Sequence, residues 1–179
     1  MTGTPAVIRA GDGPEIAWKN GGGTTREIAV FPPGAAMDDF LWRLSLATIA
    51  RPGPFSLFPG MRRVLTVIDG VLSLTGPDTR VRLTRTSAPF AFDGAEPIEG
   101  VPVGGPALAL NAITRRAGCT AHVARLGPGD VSPASGLLLA AEPQRFGPIS
   151  MARLDCARLE RAMPVAGAAV AVSFAAVGP

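Results

Sequence analysis

Phe40-Leu41-Trp42-Arg43-Leu44-Ser45-Leu46-Ala47 is the stretch on which the fold turns. Side chains alternate across a strand. This run therefore puts Phe40, Trp42, Leu44 and Leu46 on one face and Leu41, Arg43, Ser45 and Ala47 on the other. The first set is an ordinary core face. The second mixes apolar residues with a guanidinium and a hydroxyl, and two readings are open for it. It faces solvent, or it lines the inside of a barrel that keeps one charged group for an anionic ligand.

The same alternation recurs on the C-terminal side. Residues 62–68 read as a strand with Arg63, Leu65 and Val67 on one side. Asp69-Gly70 is a hairpin signal leading into Val71-Leu72-Ser73-Leu74. After the turn Gly76-Pro77-Asp78, residues 81–85 alternate as an edge-type strand. Residues 88–106 read as irregular, and if the chain holds two sub-barrels their seam falls near 100–106. Read as a strand, residues 107–116 put Ala107, Ala109, Asn111, Ile113 and Arg115 on one face, where the small residues leave room for something other than side chain. A helix would suit the alanines nearly as well. Residues 121–126, 136–141 and 148–154 give three more strands, 154–163 a short helix or a turn with a strand, and 166–177 a buried closing strand. With 22 glycines and 18 prolines punctuating these runs, the pattern is that of an all-β barrel or sandwich.

On the N-terminal side stands Trp18-Lys19-Asn20-Gly21-Gly22-Gly23-Thr24-Thr25-Arg26-Glu27, which contains the only lysine of the chain. Three glycines in a row let the backbone take positive φ and come close to whatever lies against it. The stretch is either a flexible turn or a loop by which backbone approaches a ligand. Thr24 and Glu27 have the spacing of a helix capping box, but Ile28-Ala29-Val30-Phe31 is β-prone and Pro32-Pro33-Gly34 stops it at once, so a strand is expected. A further loop, residues 51–60, carries Phe55 and Phe58. It packs on the core or covers a pocket mouth.

Composition removes several function classes. At 179 residues the chain is one domain or two small ones fused. No apolar run approaches the ~18–20 residues of a membrane span, and Met1 to Pro14 lacks the pattern of an export signal, so the expected address is the cytoplasm. There Cys119 and Cys156 are expected as reduced, buried thiols. The 17 basic residues are scattered and the net charge is only +3, which makes nucleic acid a poor partner. His122 is the single histidine, expected as a structural residue, and one imidazole with two distant thiols gives no recognisable metal-ligand spacing. No nucleophile elbow or phosphate-binding fingerprint occurs. What remains are anion-reading groups: Lys19, Arg26, Arg43, Arg63 and Arg115, with Asn20, Thr25, Ser45 and Asn111 as neutral partners. A guanidinium fork suits bidentate carboxylate contacts, and a buried one demands a charged partner. Glu27, beside Arg26, is the nearest candidate within the protein.

The order and spacing of residues 18–29, Trp42-Arg43-Leu44-Ser45, Gly53-Pro54-Phe55-Ser56 with Phe58-Pro59-Gly60, and residues 110–116 resemble the HutD/Ves family. The resemblance covers about residues 15–118 and is looser beyond. It implies a cupin-type β-barrel in the double, bicupin form, in a bacterial cytoplasmic protein, with no cofactor and no metal. It implies binding of a small carboxylate such as formylglutamate, with a role in regulating histidine utilisation, and it brings no established reaction. Carried onto this chain, the implied pocket residues are Lys19, Asn20, Thr25, Arg26, Arg43, Ser45, Phe55, Ser56, Arg63, Asn111 and Arg115. A homodimer is allowed for. The rival expectations are a hydrolase or isomerase of a small acyl-amino acid, with Lys19 or Glu27 as base, and a regulatory interaction module with an empty barrel.

Overall fold

Frequent turn residues cut the apolar sequence into runs of strand length, and the chain folds accordingly. The computed structural model describes residues 6–177, and among them there is no helix. Of the stretch Met1 to Pro14 examined for an export signal, residues 1–5 lie outside the described residues. No helix among the described residues is long and apolar enough to cross a membrane. The strands in chain order are β1 (Val7–Ile8), β2 (Glu15–Ala17), β3 (Gly23–Phe31), β4 (Trp42–Ile49), β5 (Gly53–Pro54) and β6 (Met61–Asp69). They continue with β7 (Val71–Thr75), β8 (Arg80–Thr84), β9 (Phe90–Asp93), β10 (Glu99–Pro102), β11 (Ala107–Arg115) and β12 (Cys119–Leu126). The last are β13 (Gly136–Ala140), β14 (Gln144–Phe146), β15 (Ile149–Met151), β16 (Cys156–Leu159) and β17 (Ala169–Ala176). They divide between two compact units, one of residues 13–120 with 176–177 and one of residues 6–12 with 121–175.

The larger unit holds a six-stranded antiparallel sheet, β2-β3-β4-β11-β6-β9, and a four-stranded sheet, β5-β10-β7-β8. A shared core joins them: Ala47, Ile49, Leu65, Val67 and Ala109 of the larger sheet pack with Leu72, Leu74 and Leu83 of the smaller. Residues 107–115 form a strand, not a helix. Paired on both sides, β11 has its alanines at zero or near-zero exposure, where sheet hydrogen bonding and burial outweigh intrinsic helix propensity.

Two local readings are corrected here. Asp69-Gly70 does not close a hairpin, because β6 pairs with β11 and β9 while β7 pairs with β10 and β8. It is a corner at which the chain leaves one sheet for the other. Gly70 sits at φ +75°, and a Cβ there would lie 2.6 Å from the Pro106 carbonyl oxygen, so no other residue fits. Residues 88–106 are not irregular throughout, since they supply β9, paired with β6, and β10, paired with β5 and β7. Both strands are four residues long, and pairing distant in sequence forms them where local alternation is too short to show. The seam expected near residues 100–106 falls within the larger unit.

In the smaller unit β1-β16-β13-β17-β12 form one sheet and β14-β15 a ribbon, over a core that includes Leu138, Phe146, Met151, Leu159 and Val165. Residues 154–163 are a turn followed by strand β16. Leu154 takes φ 71°, unusual for a branched residue, and Asp155 anchors the turn. The Asp155 carboxylate, 2% exposed, accepts from the Ala10 and Ala152 N–H groups at 2.9 Å each and from Arg9 at 2.7 Å. Burial alone would raise its pKa, but the hydrogen bonds from Ala10, Arg9 and Ala152 outweigh that and hold it below the ordinary aspartate value. A depressed carboxylate contributes stability that is present above the unfolded-state pKa, near 4, and is lost as pH falls through the folded one. Asp155→Ala is expected to cost about 2–4 kcal/mol at neutral pH, since two N–H donors and Arg9 lose their acceptor. In urea titrations from pH 7 to 2, the gap between wild type and variant should close below about pH 4. His122, expected as a structural residue, lies exposed on β12, while Cys119 and Cys156 are free and buried.

Candidate functional site

Period-2 alternation on three neighbouring strands builds the site. In the six-stranded sheet Arg43, Ile113 and Arg63 stand in one row across β4, β11 and β6. Ser45, Asn111 and Leu65 make the next row, and Ala47, Ala109 and Val67 the third. The mixed face of β4 is thus buried: Arg43, Ser45 and Ala47 are all at or below 8% exposure. The short side chains of Ser45, Asn111 and Ala47 leave volume above the sheet. A cavity of about 580 Å³ results, within the range of ~300–1,000 Å³ usual for small-molecule sites.

Its wall holds Lys19, Asn20, Thr25, Arg43, Ser45, Phe55, Ser56, Arg63 and Asn111. Residues 18–21 form a tight turn, with Gly21 N–H bonded to Trp18 O at 3.0 Å, and present Lys19 and Asn20. The glycines approach protein backbone here. Gly22 O accepts from Ala50 and Arg51 at 2.9 and 3.0 Å, and Gly23 lies against Thr48 of β4. Thr25 accepts the Trp18 indole N–H at 2.7 Å, fixing that ring edge-on to Phe55. Phe55 both packs in the core and lines the cavity, so its loop does the two things expected of it as alternatives.

Arg26 and Arg115 lie elsewhere. Arg26 points to the opposite side of β3 from Thr25 and pairs with Glu15 at 3.3 Å. Arg115, at the end of β11, donates to the Asp38 and Phe40 carbonyls at 2.7 and 3.3 Å, which ties down the chain entering β4. Glu27 is the partner of Arg43, with Oε2 2.9 Å from Nε, and not of Arg26. Alternation explains it. Thr25 stands opposite Ala47 and Glu27 opposite Ser45, on the face of β4 that carries Arg43, while Arg26 stands opposite Leu46 on the other face.

Arg63 is the unusual group. It is 6% exposed, and among the described residues no carboxylate pairs with it. Its Nη1 donates to Ser56 O at 3.1 Å, and the guanidinium carbon lies 4.9–5.4 Å from the ring centres of Phe92, Phe55 and Phe58. Burial pushes its pKa down to about 10. Its Nε and the Asn111 Oδ1 are buried and have no hydrogen-bond partner among the described residues. Among the described residues, no group of three or more His, Cys, Asp or Glu side chains is placed to hold a metal ion.

Ile16, Trp18, Met37 and Ile113 also line the cavity and are not among the pocket residues expected from the sequence, while Phe58 lines it from the loop expected on the core or at a pocket mouth. For Ile113 the signal was there, since it shares a strand face with Asn111. Met37 is in the wall, its sulfur 3.2 Å from Arg43 Nη1, a contact that no local pattern announces.

Protein Ves from Citrobacter koseri is 42% identical to this chain over 112 residues, 62% of this chain and 58% of that protein. The chain therefore spans under two thirds of the length of the curated relatives it matches. HutD from Pseudomonas fluorescens, solved in a formate condition, superposes with a TM-score of 0.86 at 27% identity, covering 98% of this chain and all of that one. YlbA from E. coli, of the DUF861 family, superposes with a TM-score of 0.66 over 94% of this chain and 90% of that one, and at 10% identity this likeness concerns the cupin-like fold alone. The HutD family model matches residues 10–174, nearly the whole chain, and the protein belongs to the HutD/Ves family.

Proposed function

We propose that the protein is a metal-independent, cytoplasmic small-molecule-binding protein whose cavity takes a small carboxylate such as formylglutamate, and that this binding regulates histidine utilisation. Arg63 carries the reading. A buried guanidinium without an anionic partner costs several kcal/mol, and a ligand carboxylate would return that cost in a low-dielectric site. Ser45 and Asn111 stand one row away to take neutral polar atoms of the same ligand. The reading extends to the fold, with each unit taken as one cupin-type barrel of a bicupin. Support comes from the separate sheets and core of each unit.

The rival reading, a hydrolase or isomerase with Lys19 or Glu27 as base, gains no observation of its own. Glu27 is engaged by Arg43, and Lys19 is exposed at the cavity wall. Thermal-shift measurements with formylglutamate, glutamate, urocanate and formate test the carboxylate reading. At about 100 times its dissociation constant a ligand adds about 2.7 kcal/mol, which for a chain of this size is a rise in Tm of about 5–10 °C. If none of the four moves Tm at millimolar concentration, the reading is wrong.

A further inference from the structure

The two arginines of the cavity are not electrically equivalent. Arg43 is spoken for: Nε donates to Glu27 at 2.9 Å and Nη1 meets Met37 Sδ at 3.2 Å. Arg63 keeps its full charge, with only a carbonyl and three aromatic rings around it. They stand in one row, separated by Ile113, on strands two apart. Adjacent strands lie ~4.8 Å apart, so the backbones of β4 and β6 stand ~10 Å apart, and both side chains line the one cavity. Glu27 itself is half exposed and does not line the cavity. It reaches Arg43 from the neighbouring strand, where it stands opposite Ser45 on the same face of the sheet as Arg43.

We propose that Glu27 is the specificity-determining residue of the cavity. By neutralising Arg43 it leaves one buried guanidinium, Arg63, so that the site reads a single carboxylate and gains little from a second. The ligand class is then a carboxylate with a neutral polar remainder, and a diacid is accepted without being strongly preferred. Any second carboxylate finds only the exposed Lys19, where an ion pair changes affinity by less than about fivefold. This inference rests on the carboxylate-binding reading above.

Formylglutamate and formylglutamine are close to the same size and differ by one carboxylate, which makes them the probe pair. Calorimetric titration of wild type should give dissociation constants for the two within about fivefold of each other. In Glu27→Gln, Arg43 is released, and the ratio should move at least about tenfold toward formylglutamate, the effect expected of a close, buried charge pair. An unchanged ratio would show that Glu27 only supports the wall and would overturn the proposal. So would a wild-type preference for the diacid above about a hundredfold, because Arg43 would then be read despite Glu27. Binding of neither probe by wild type would overturn the carboxylate reading itself, and this inference with it. Should the variant fail to fold, the arginine Nε–H resonances of the wild-type protein decide. On adding formylglutamine the Arg63 signal should shift while that of Arg43, held by Glu27, stays, and equal shifts would refute the assignment.

Discussion

Arg63→Met is expected to abolish stabilisation by formylglutamate while leaving the ligand-free protein about as stable as wild type. The two halves of this result have one cause. In the ligand-free protein the guanidinium is buried without a counter-charge, and the fall of its pKa to about 10 corresponds to a penalty on the order of 3 kcal/mol. Contacts with Phe55, Phe58 and Phe92 return about 2 kcal/mol, and the Ser56 hydrogen bond about 1. Methionine keeps the apolar packing and removes the penalty, so the balance lies near zero. Once a carboxylate is bound the same charge is paired, and its removal should weaken binding by about 2–5 kcal/mol, at least thirtyfold. Thermal unfolding with and without ligand measures both. A variant that still responds to formylglutamate as wild type does would remove Arg63 from the site.

The pH dependence has a definite sign. A base whose folded pKa is depressed destabilises the fold at every pH below that value. The cost disappears as pH rises from about 10 toward the ordinary arginine value, where the unfolded chain still holds the proton. Carboxylate affinity runs the other way. It should be independent of Arg63 titration at neutral pH and fall above about pH 10, as the guanidinium loses its charge.

Gly23→Ala is the second large effect, and it acts on the fold. A Cβ at Gly23 would stand 2.1 Å from the Thr48 carbonyl oxygen and 3.2 Å from its carbon, both backbone atoms of the neighbouring strand. Neither can rotate away. β3 and β4 would have to part at the Gly23–Ile49 pair, straining the adjacent bonds from Ala50 and Arg51 to Gly22 O. The cost should reach about 3 kcal/mol or more, a fall in Tm of about 6–12 °C, and should disturb the turn that carries Lys19 and Asn20. Gly21→Asn is the matched control. Gly21 has φ +68° but open space around it, and asparagine tolerates that conformation, so about 1 kcal/mol or less is expected. Equal stability of the two variants would show that close strand approach is not what the motif's last glycine provides.

The sequence alone determined which residues share a strand face. Arg43 stands with Ser45 and Ala47, Arg63 with Leu65, and Asn111 with Ile113, because alternation is a local property of extended backbone. Its motifs also carried the family. Tertiary structure alone decided which faces meet. β11 lies between β4 and β6, and only that neighbourhood brings Arg43, Asn111 and Arg63, far apart in the chain, into one cavity wall. The register of β3 on β4, which no local pattern fixes, set Glu27 opposite Ser45 on the Arg43 face and Arg26 opposite Leu46, outside the cavity. Asp69-Gly70 looked like a hairpin because its local conformation is that of a turn, but pairing partners are chosen elsewhere in the chain. The charge that matters most was set the same way. Arg43 and Arg63 look alike in sequence, and only the packing around each makes one a neutralised pair and the other a buried, unpaired cation.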